Sequence, residues 1–132
     1  MKPLAIWIAV VAAVFGAFAL VTNLTRDTER VFVVVDSSFQ MRPVWPDVRR
    51  ELDRIDDADY SEFALATEKD PIHSWQAELE LVGVESFAPC TFDGIDAYPE
   101  AADADERILI TTSASTCDTS ALVGWQIIQL TP

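Results

Sequence analysis

The chain has 132 residues, a length typical of a single domain. Its 22 acidic residues outnumber its 9 basic residues, which gives a formal net charge of −13. A chain so acidic has no basic stripe that could neutralise phosphates, and this excludes nucleic acid as a partner. With only 4 glycines it also lacks a glycine-rich phosphate-binding loop.

The first part of the chain is strongly apolar, and residues 4–21 contain no charged side chain. A helix that rises ~1.5 Å per residue needs roughly 17 to 25 apolar residues to cross a bilayer. We therefore predict a transmembrane signal anchor over residues 1–22, a polar linker over 23–30 and an acidic domain over 31–132. A cleaved signal peptide is the alternative, because Ala17-Phe18-Ala19 has the small-x-small pattern of a cleavage site. The apolar run continues beyond that site, which favours the anchor.

The charges that flank the apolar segment do not orient it. Lys2 precedes it and Arg26 and Arg30 follow it, so the positive-inside count is nearly balanced. The acidity of the rest of the chain is more informative, since the anionic inner leaflet of a membrane would repel such a domain. We predict a single-pass membrane protein with a cytoplasmic N-terminus and a periplasmic or otherwise extracytoplasmic C-terminal domain.

The two cysteines of the chain are Cys90 and Cys117. In an exported domain two thiols can pair, and the alternative is two free buried thiols. The spacing matches neither a Cys-x-x-Cys motif nor a Cys/His zinc site, and His73 is the only histidine.

The acidic domain begins with a run of β-branched and aromatic residues at 31–35. A continuous apolar run is typical of a strand that is buried on both faces of a parallel sheet. A helix is predicted over 43–55, because the apolar residues there fall on one stripe. That stripe consists of Val44, Val48, Leu52 and Ile55.

The next two predicted strands are short and close together. Residues 62–67 and 72–76 are separated by a four-residue turn, which permits only antiparallel pairing and predicts a hairpin at the edge of the sheet. Residues 77–84 fit either an extension of that strand or a short helix. Residues 85–106 are predicted to be mostly loop, with room for one short helix.

Two further strands are predicted over 107–112 and 124–130. The order strand, helix, hairpin, strand, strand is typical of an α/β fold. The predicted architecture is an N-terminal transmembrane helix followed by a small, mostly parallel sheet with an antiparallel edge hairpin, in the manner of a truncated Rossmann-like fold.

Polar side chains follow the first predicted central strand, where ligands of open α/β sheets gather. The chain reads Val33-Val34-Val35-Asp36-Ser37-Ser38-Phe39-Gln40, then a helix, a hairpin and a strand that ends in Thr111-Thr112. This order resembles the von Willebrand factor A family, in which the first strand leads into Asp-x-Ser-x-Ser and a later strand ends in Thr-Asp-Gly. The resemblance covers most of residues 30–130. It implies a fold of that type, in degenerate and shortened form.

The resemblance also implies a divalent-cation site at Asp36 and Ser38. The chain departs from the family pattern at two positions, with Gln40 in place of a serine and Thr112 in place of the second aspartate. Alternatively, Asp36 and the serines cap the following turn by accepting backbone N–H bonds. The capping alternative is favoured because one of the two carboxylates is missing, so we expect no cofactor.

No catalytic set is visible in the sequence. The chain lacks a Gly-x-Ser-x-Gly nucleophile elbow, and His73 is the only candidate for a histidine base. We therefore predict a non-enzymatic, membrane-anchored module that binds an unknown protein partner through its strand-end loops. The candidate contact residues are Phe39, Gln40 and Thr112. The alternative is an accessory subunit of a membrane complex that contributes its single transmembrane helix, in which Gly16 would permit close helix contact.

Overall fold

The computed structural model describes residues 2–24, 27–59 and 61–132. Within these ranges the helices are α1 (Lys2–Leu24), α2 (Trp45–Asp56) and α3 (Pro99–Asp103). The strands are β1 (Glu29–Val35), β2 (Ser61–Thr67), β3 (Pro71–Gln76), β4 (Glu106–Thr112) and β5 (Trp125–Leu130). Short 3₁₀ turns span Phe39–Val44 and Ile95–Ala97.

The strands form one five-stranded sheet in the order β3-β2-β1-β4-β5. The central strand β1 is parallel to β2 and to β4, and β5 is parallel to β4. Only β3 runs antiparallel, as the second strand of an edge hairpin with β2. The predicted α/β class, with an apolar N-terminal helix ahead of a mixed sheet, is confirmed.

The two faces of β1 explain why its apolar run is continuous. Val31, Val33 and Val35 pack against the apolar stripe of α2, whereas Phe32 and Val34 face the opposite layer. All five side chains are buried because both faces of the sheet are covered. The stripe predicted for the helix is the one that is buried, at Val48, Leu52 and Ile55 of α2.

The opposite layer is built from short elements rather than from a long helix. Ile95 of the second 3₁₀ turn and Ala101 of α3 pack on this face of the sheet. The Phe32 ring meets the rings of Tyr98 and Trp125 edge to face, at centroid distances of 5.7 and 5.9 Å. The single short helix that the sequence allowed in residues 85–106 is α3, with a 3₁₀ turn before it.

Two boundaries differ from the predictions. The helix predicted from residue 43 starts at Trp45, because Pro43 lies inside a 3₁₀ turn and Pro46 occupies the first turn of α2. The linker predicted to reach residue 30 is shorter, since β1 starts at Glu29. Arg30 is held there by Asp105, whose side chain accepts the Arg30 N–H at 2.9 Å. Thr25 and Arg26 of the predicted linker lie outside the described residues.

Residues 77–84 adopt neither of the two conformations that the sequence suggested. They form bends and irregular backbone that turns back along β3. The Glu80 N–H donates to Nε2 of His73 at 3.2 Å, and the Leu79 side chain packs against the α2 face of the core. The only histidine therefore holds a loop in place.

Helix α1 is long and apolar enough to cross a membrane, and a signal sequence has the same properties. None of its span Lys2–Thr22 is buried against the rest of the chain. Its large apolar side chains, including Trp7, Phe15 and Phe18, are exposed on all sides. A helix that is apolar all round needs an apolar environment, and the folded domain does not provide one.

Candidate functional site

The carboxyl ends of the three central strands form a layer of buried polar side chains. Parallel strands end at the same edge of a sheet, so the residues after β1, β2 and β4 meet there. We call this set the polar layer. It consists of Asp36, Ser37, Ser38, Thr67, Glu68, Thr111 and Thr112, all of which are buried.

Asp36 occupies the centre of the polar layer and is fully buried. Its Oδ1 accepts the Ser38 N–H at 2.8 Å, and its Oδ2 accepts the Thr111 hydroxyl at 2.7 Å. Its own N–H donates to the Ile110 carbonyl at 2.9 Å. Oδ1 thus stabilises the turn after β1, in the way that the capping alternative expects of Asp36, and Oδ2 ties that turn to β4. The serines do not cap the turn, because the Ser37 hydroxyl donates to Glu68 and Ser38 makes no side-chain cap bond.

Glu68 is a second buried carboxyl group in the polar layer, and no pattern in the sequence singles it out. Its Oε1 accepts the Ser37 hydroxyl at 2.7 Å and its Oε2 accepts the Ser37 N–H at 2.8 Å. Burial raises the pKa of Glu68; the two bonds from Ser37 oppose this shift, and the nearby Asp36 adds to it. The loops after β1 and β2 are therefore linked by one side chain.

Ser38 differs from the other members of the polar layer. Its side chain is buried, and among the described residues its hydroxyl oxygen has no hydrogen-bond partner. Its backbone pairs with Ala88, where the Phe39 N–H donates to the Ala88 carbonyl at 3.1 Å and the Ala88 N–H donates to the Ser37 carbonyl at 3.0 Å. The segment around Ala88 therefore covers the end of β1.

The donors available to a cation at this position are few. Asp36 and Glu68 supply carboxylates, and Ser38 supplies a hydroxyl that has no partner in the described part of the chain, whereas Mg²⁺ and Ca²⁺ take six or more oxygen ligands. In the part of the chain that the structure describes, no group of three or more His, Cys, Asp or Glu side chains is placed to hold a metal ion. The Asp36 oxygens are already engaged by protein donors.

Gln40 and Thr112 are both placed by contacts within the fold. The Gln40 side chain donates to the Thr116 hydroxyl at 3.0 Å and accepts the Thr116 N–H at 3.2 Å, which joins the loops after β1 and β4. Thr112 is fully buried, and its hydroxyl accepts the Ala114 N–H at 3.3 Å. Of the three candidate contact residues, Thr112 therefore offers no side-chain surface to a partner.

Phe39 is the candidate contact residue that lies on the surface. Its side chain is 55% exposed, and that of Phe87 is 60% exposed. The two phenylalanines lie on the neighbouring segments that pair through Ser38 and Ala88. We call this pair the aromatic face. The Arg42 guanidinium lies 5.8 Å from the centre of the Phe39 ring and supplies a positive charge beside it.

A cavity of about 360 Å³ opens beside the aromatic face. Ser37 and Thr67 of the polar layer line it, together with the β2–β3 turn, residues 82–85 and Phe87. Close by, the Tyr98 hydroxyl donates to the Thr67 carbonyl at 2.8 Å. Burial raises the pKa of Tyr98, and the neighbouring carboxylates of Asp70 and Glu68 raise it further. The surroundings of the cavity are therefore polar and acidic as well as apolar.

Cys90 and Cys117 form a disulfide, with their Cα atoms 5.8 Å apart. The bridge joins the segment that covers the strand ends to the loop between β4 and β5. Together with the Gln40–Thr116 contact, it holds the loops at this edge of the sheet in one arrangement.

Comparison with protein-family models, with curated proteins and with solved structures finds no match for this chain. Its function is therefore inferred from its own residues.

Proposed function

We propose that this protein is a membrane-anchored, non-catalytic interaction module whose domain lies on the extracytoplasmic side and binds a protein partner through its strand-end loops. The observation that carries the proposal is the aromatic face. Phe39 and Phe87 are more than half exposed. Phe39 follows Ser38, whose N–H is held by Asp36, and Phe87 precedes Ala88, whose backbone bonds to Ser37 and Phe39. Exposed aromatic side chains on a rigid support are typical of protein contact sites.

Anchoring is supported by α1. Within the candidate span Lys2–Thr22 nothing is buried by the domain, so the bilayer is the environment that would bury its apolar side chains. The disulfide supports an oxidising compartment for the domain, because such bonds persist outside the cytosol. The excess of acidic residues is consistent with that side of the membrane.

The bonding within the polar layer supports a structural role for its two carboxylates. Asp36 is committed to Thr111 and to the Ser38 N–H, and Glu68 is committed to Ser37. A catalytic carboxylate has to reach a substrate, whereas these two face protein donors in buried positions. The polar layer serves to fix the loops that carry the aromatic face.

A degenerate von Willebrand factor A-like domain is the family that we propose for the fold. Support comes from the central parallel strand β1 that ends in Asp-x-Ser, with an antiparallel edge hairpin after α2. Gln40 and Thr112 depart from the metal-binding pattern, and both bond to protein groups instead. In von Willebrand factor A domains a metal ion organises the strand-end loops. In this proposal, hydrogen bonds within the protein hold the corresponding loops of this chain.

The test is a pull-down of the tagged full-length protein from detergent-solubilised membranes, at low and at raised salt. We expect a stoichiometric partner with the wild type, and at least a tenfold loss with the double variant Phe39→Ser/Phe87→Ser. Val123→Ser is the matched control, because Val123 is 84% exposed and lies in the loop between β4 and β5. Loss of the partner at raised salt would assign part of the contact to the acidic surface. Recovery of the chain alone under both conditions would overturn the proposal of a stable partner.

The second candidate function is an accessory subunit held by its transmembrane helix. The observation that favours it is that Gly16 lies on the exposed helix α1, where no other part of the described chain comes within 4 Å of an added β-carbon. A residue this small would let another helix approach closely. Replacement of residues 4–21 by an unrelated apolar helix separates the two candidates. A subunit held through α1 loses its partner, whereas a module that binds through the aromatic face keeps it.

A further inference from the structure

The two edges of the sheet differ in how they are protected. At one edge, β3 contains Pro71 and pairs with β2 through two register shifts. The following loop folds back onto β3, where His73 accepts the Glu80 N–H. Proline, bulges and covering loops are the devices that stop an edge strand from pairing with another chain.

The other edge, β5, has none of these devices. All six of its residues pair with β4 in parallel register without a shift, from Arg107 opposite Trp125 to Thr112 opposite Leu130. The strand reads Trp-Gln-Ile-Ile-Gln-Leu, without a proline or a charged residue. Among the described residues no strand lies on its outer side. The Trp125 N–H donates to the Leu122 carbonyl at 3.4 Å, and beyond Trp125 the outward backbone N–H and C=O groups of β5 can pair with another strand.

The charge pattern of the chain marks the same edge. Asp118 is the only charged side chain between residues 113 and 132, although the chain as a whole carries 22 acidic and 9 basic residues. A charged residue in a strand laid along β5 would find no opposite charge on β5 to offset its loss of water, so an uncharged segment fits this edge better.

The side chains of β5 are incompletely covered on both faces. Ile128 and Leu130 are half-buried on the α2 side of the sheet, and Ile127 is half-buried on the other side. A sixth strand would cover these side chains and would also supply hydrogen-bond partners to the open backbone.

We propose that the β5 edge receives an extended, uncharged segment of a partner protein as a sixth strand of the sheet. A second copy of this chain fits less well, for a reason that rests on the proposed membrane anchoring. Two copies pair edge to edge around a two-fold axis with their β5 strands antiparallel. Because β5 runs parallel to β1, such a pair would place the two N-terminal helices at opposite ends of the joined sheet. Both helices have to enter the same bilayer.

The experiment is site-specific photo-cross-linking of the full-length protein in its native membranes. A benzophenone amino acid is placed at Gln126 or at Gln129, which are exposed on β5, and at Ser74, which is exposed on β3 and is the matched control. We expect one adduct of the same mass from both β5 positions and none from Ser74. Mass spectrometry should locate the cross-link in a partner segment that carries no charge or proline over the length of β5.

A second variant tests the edge without altering the fold. With the cross-linker at Gln126, the substitution Gln129→Lys places a charge on the edge and should reduce the adduct at least tenfold, while Gln129→Asn should preserve it. The unfolding midpoint should be unchanged in both variants, because residue 129 is exposed.

Several results would overturn the proposal. These are no adduct at either β5 position, equal adducts at Ser74, an adduct of two copies of this chain, or a cross-linked partner segment that is charged. The aromatic face is tested separately, since Phe39→Ser/Phe87→Ser should weaken the pull-down and leave the cross-linking positions on β5 intact. Failure of one proposal is therefore distinguishable from failure of the other.

Discussion

The apolar interior of the sheet and the polar layer at its carboxyl ends are buried to the same degree, but different forces hold them. Val33, Val34 and Val35 are fully buried, and Asp36 follows them in the chain with no more exposure. Burial of the valines stabilises the fold through transfer of apolar surface out of water. Burial of Asp36 costs free energy unless its oxygens are hydrogen-bonded, and both are.

This difference means that the two regions respond differently to substitution. In the apolar interior the loss scales with the volume removed, because a cavity is left behind. In the polar layer the loss depends on which hydrogen bonds are left without a partner. Four substitutions, ordered by the size of the expected effect, test that distinction.

The largest effect is expected in the apolar interior. Phe32→Ala should lower the free energy of unfolding by about 3–5 kcal/mol, because Phe32 is 1% exposed and its ring packs against Tyr98 and Trp125. The matched control is Phe39→Ala, which removes the same side chain from an exposed position and should cost far less. Urea unfolding of both variants measures the difference. Equal losses would contradict the assignment of the two phenylalanines to interior and surface.

The second effect is expected at the centre of the polar layer. Asp36→Ala leaves the Ser38 N–H and the Thr111 hydroxyl without acceptors in a buried site, and should cost about 3 kcal/mol. Asp118→Ala is the control, because Asp118 accepts the Ser120 N–H at 2.8 Å in the same type of turn on the surface. Chemical denaturation of the two variants should show a much larger loss for Asp36. Similar losses would mean that Asp36 acts only through its local turn.

The positions of these two regions could be predicted from the sequence to different extents. The continuous apolar runs of β1 and β4 predict buried parallel strands. A strand that is covered on both faces has no solvent-exposed side at which every second residue would be polar. The irregular backbone between β3 and α3 could not be predicted in the same way. It is held by contacts between residues that are far apart in the sequence, such as the pairing of Ala88 with Ser38, and no local sequence pattern predicts such contacts.

The polar layer could be predicted only in part. Asp36 can be identified because it follows an apolar run at the end of a central strand. Glu68 cannot, since the sequence Glu68-Lys69-Asp70-Pro71 is typical of an exposed turn. Its burial depends on Ser37, which reaches it from the loop of a neighbouring strand, and such a pairing requires the strand order to be known.

The third effect is a pH dependence that belongs to Glu68. Burial raises the pKa of Glu68 in the folded protein above its value in the unfolded chain, which is about 4.5. As the pH rises from the unfolded-state pKa through the folded-state pKa, ionisation of Glu68 therefore lowers the stability of the folded protein. Glu68→Gln removes that cost and can still bond to both Ser37 groups. We therefore expect the variant to gain stability relative to the wild type as the pH rises over this window, with little difference below it. Thermal unfolding of both proteins from pH 4 to pH 8 measures the difference. A difference that stays constant with pH would exclude Glu68 as the titrating group.

The smallest effect is expected at Ser38, and it separates a structural role from a metal-binding one. Because its hydroxyl has no partner among the described residues, Ser38→Ala removes a buried polar atom and no hydrogen bond. The free energy of unfolding should change by no more than about 0.5 kcal/mol, or should rise, whereas Asp36→Ala is costly. The unfolding midpoints of wild type and variant should also respond identically to millimolar Mg²⁺. If Mg²⁺ stabilises the wild type and this stabilisation is lost in Ser38→Ala, then the hydroxyl is a ligand, and the polar layer is a metal site rather than a set of internal hydrogen bonds.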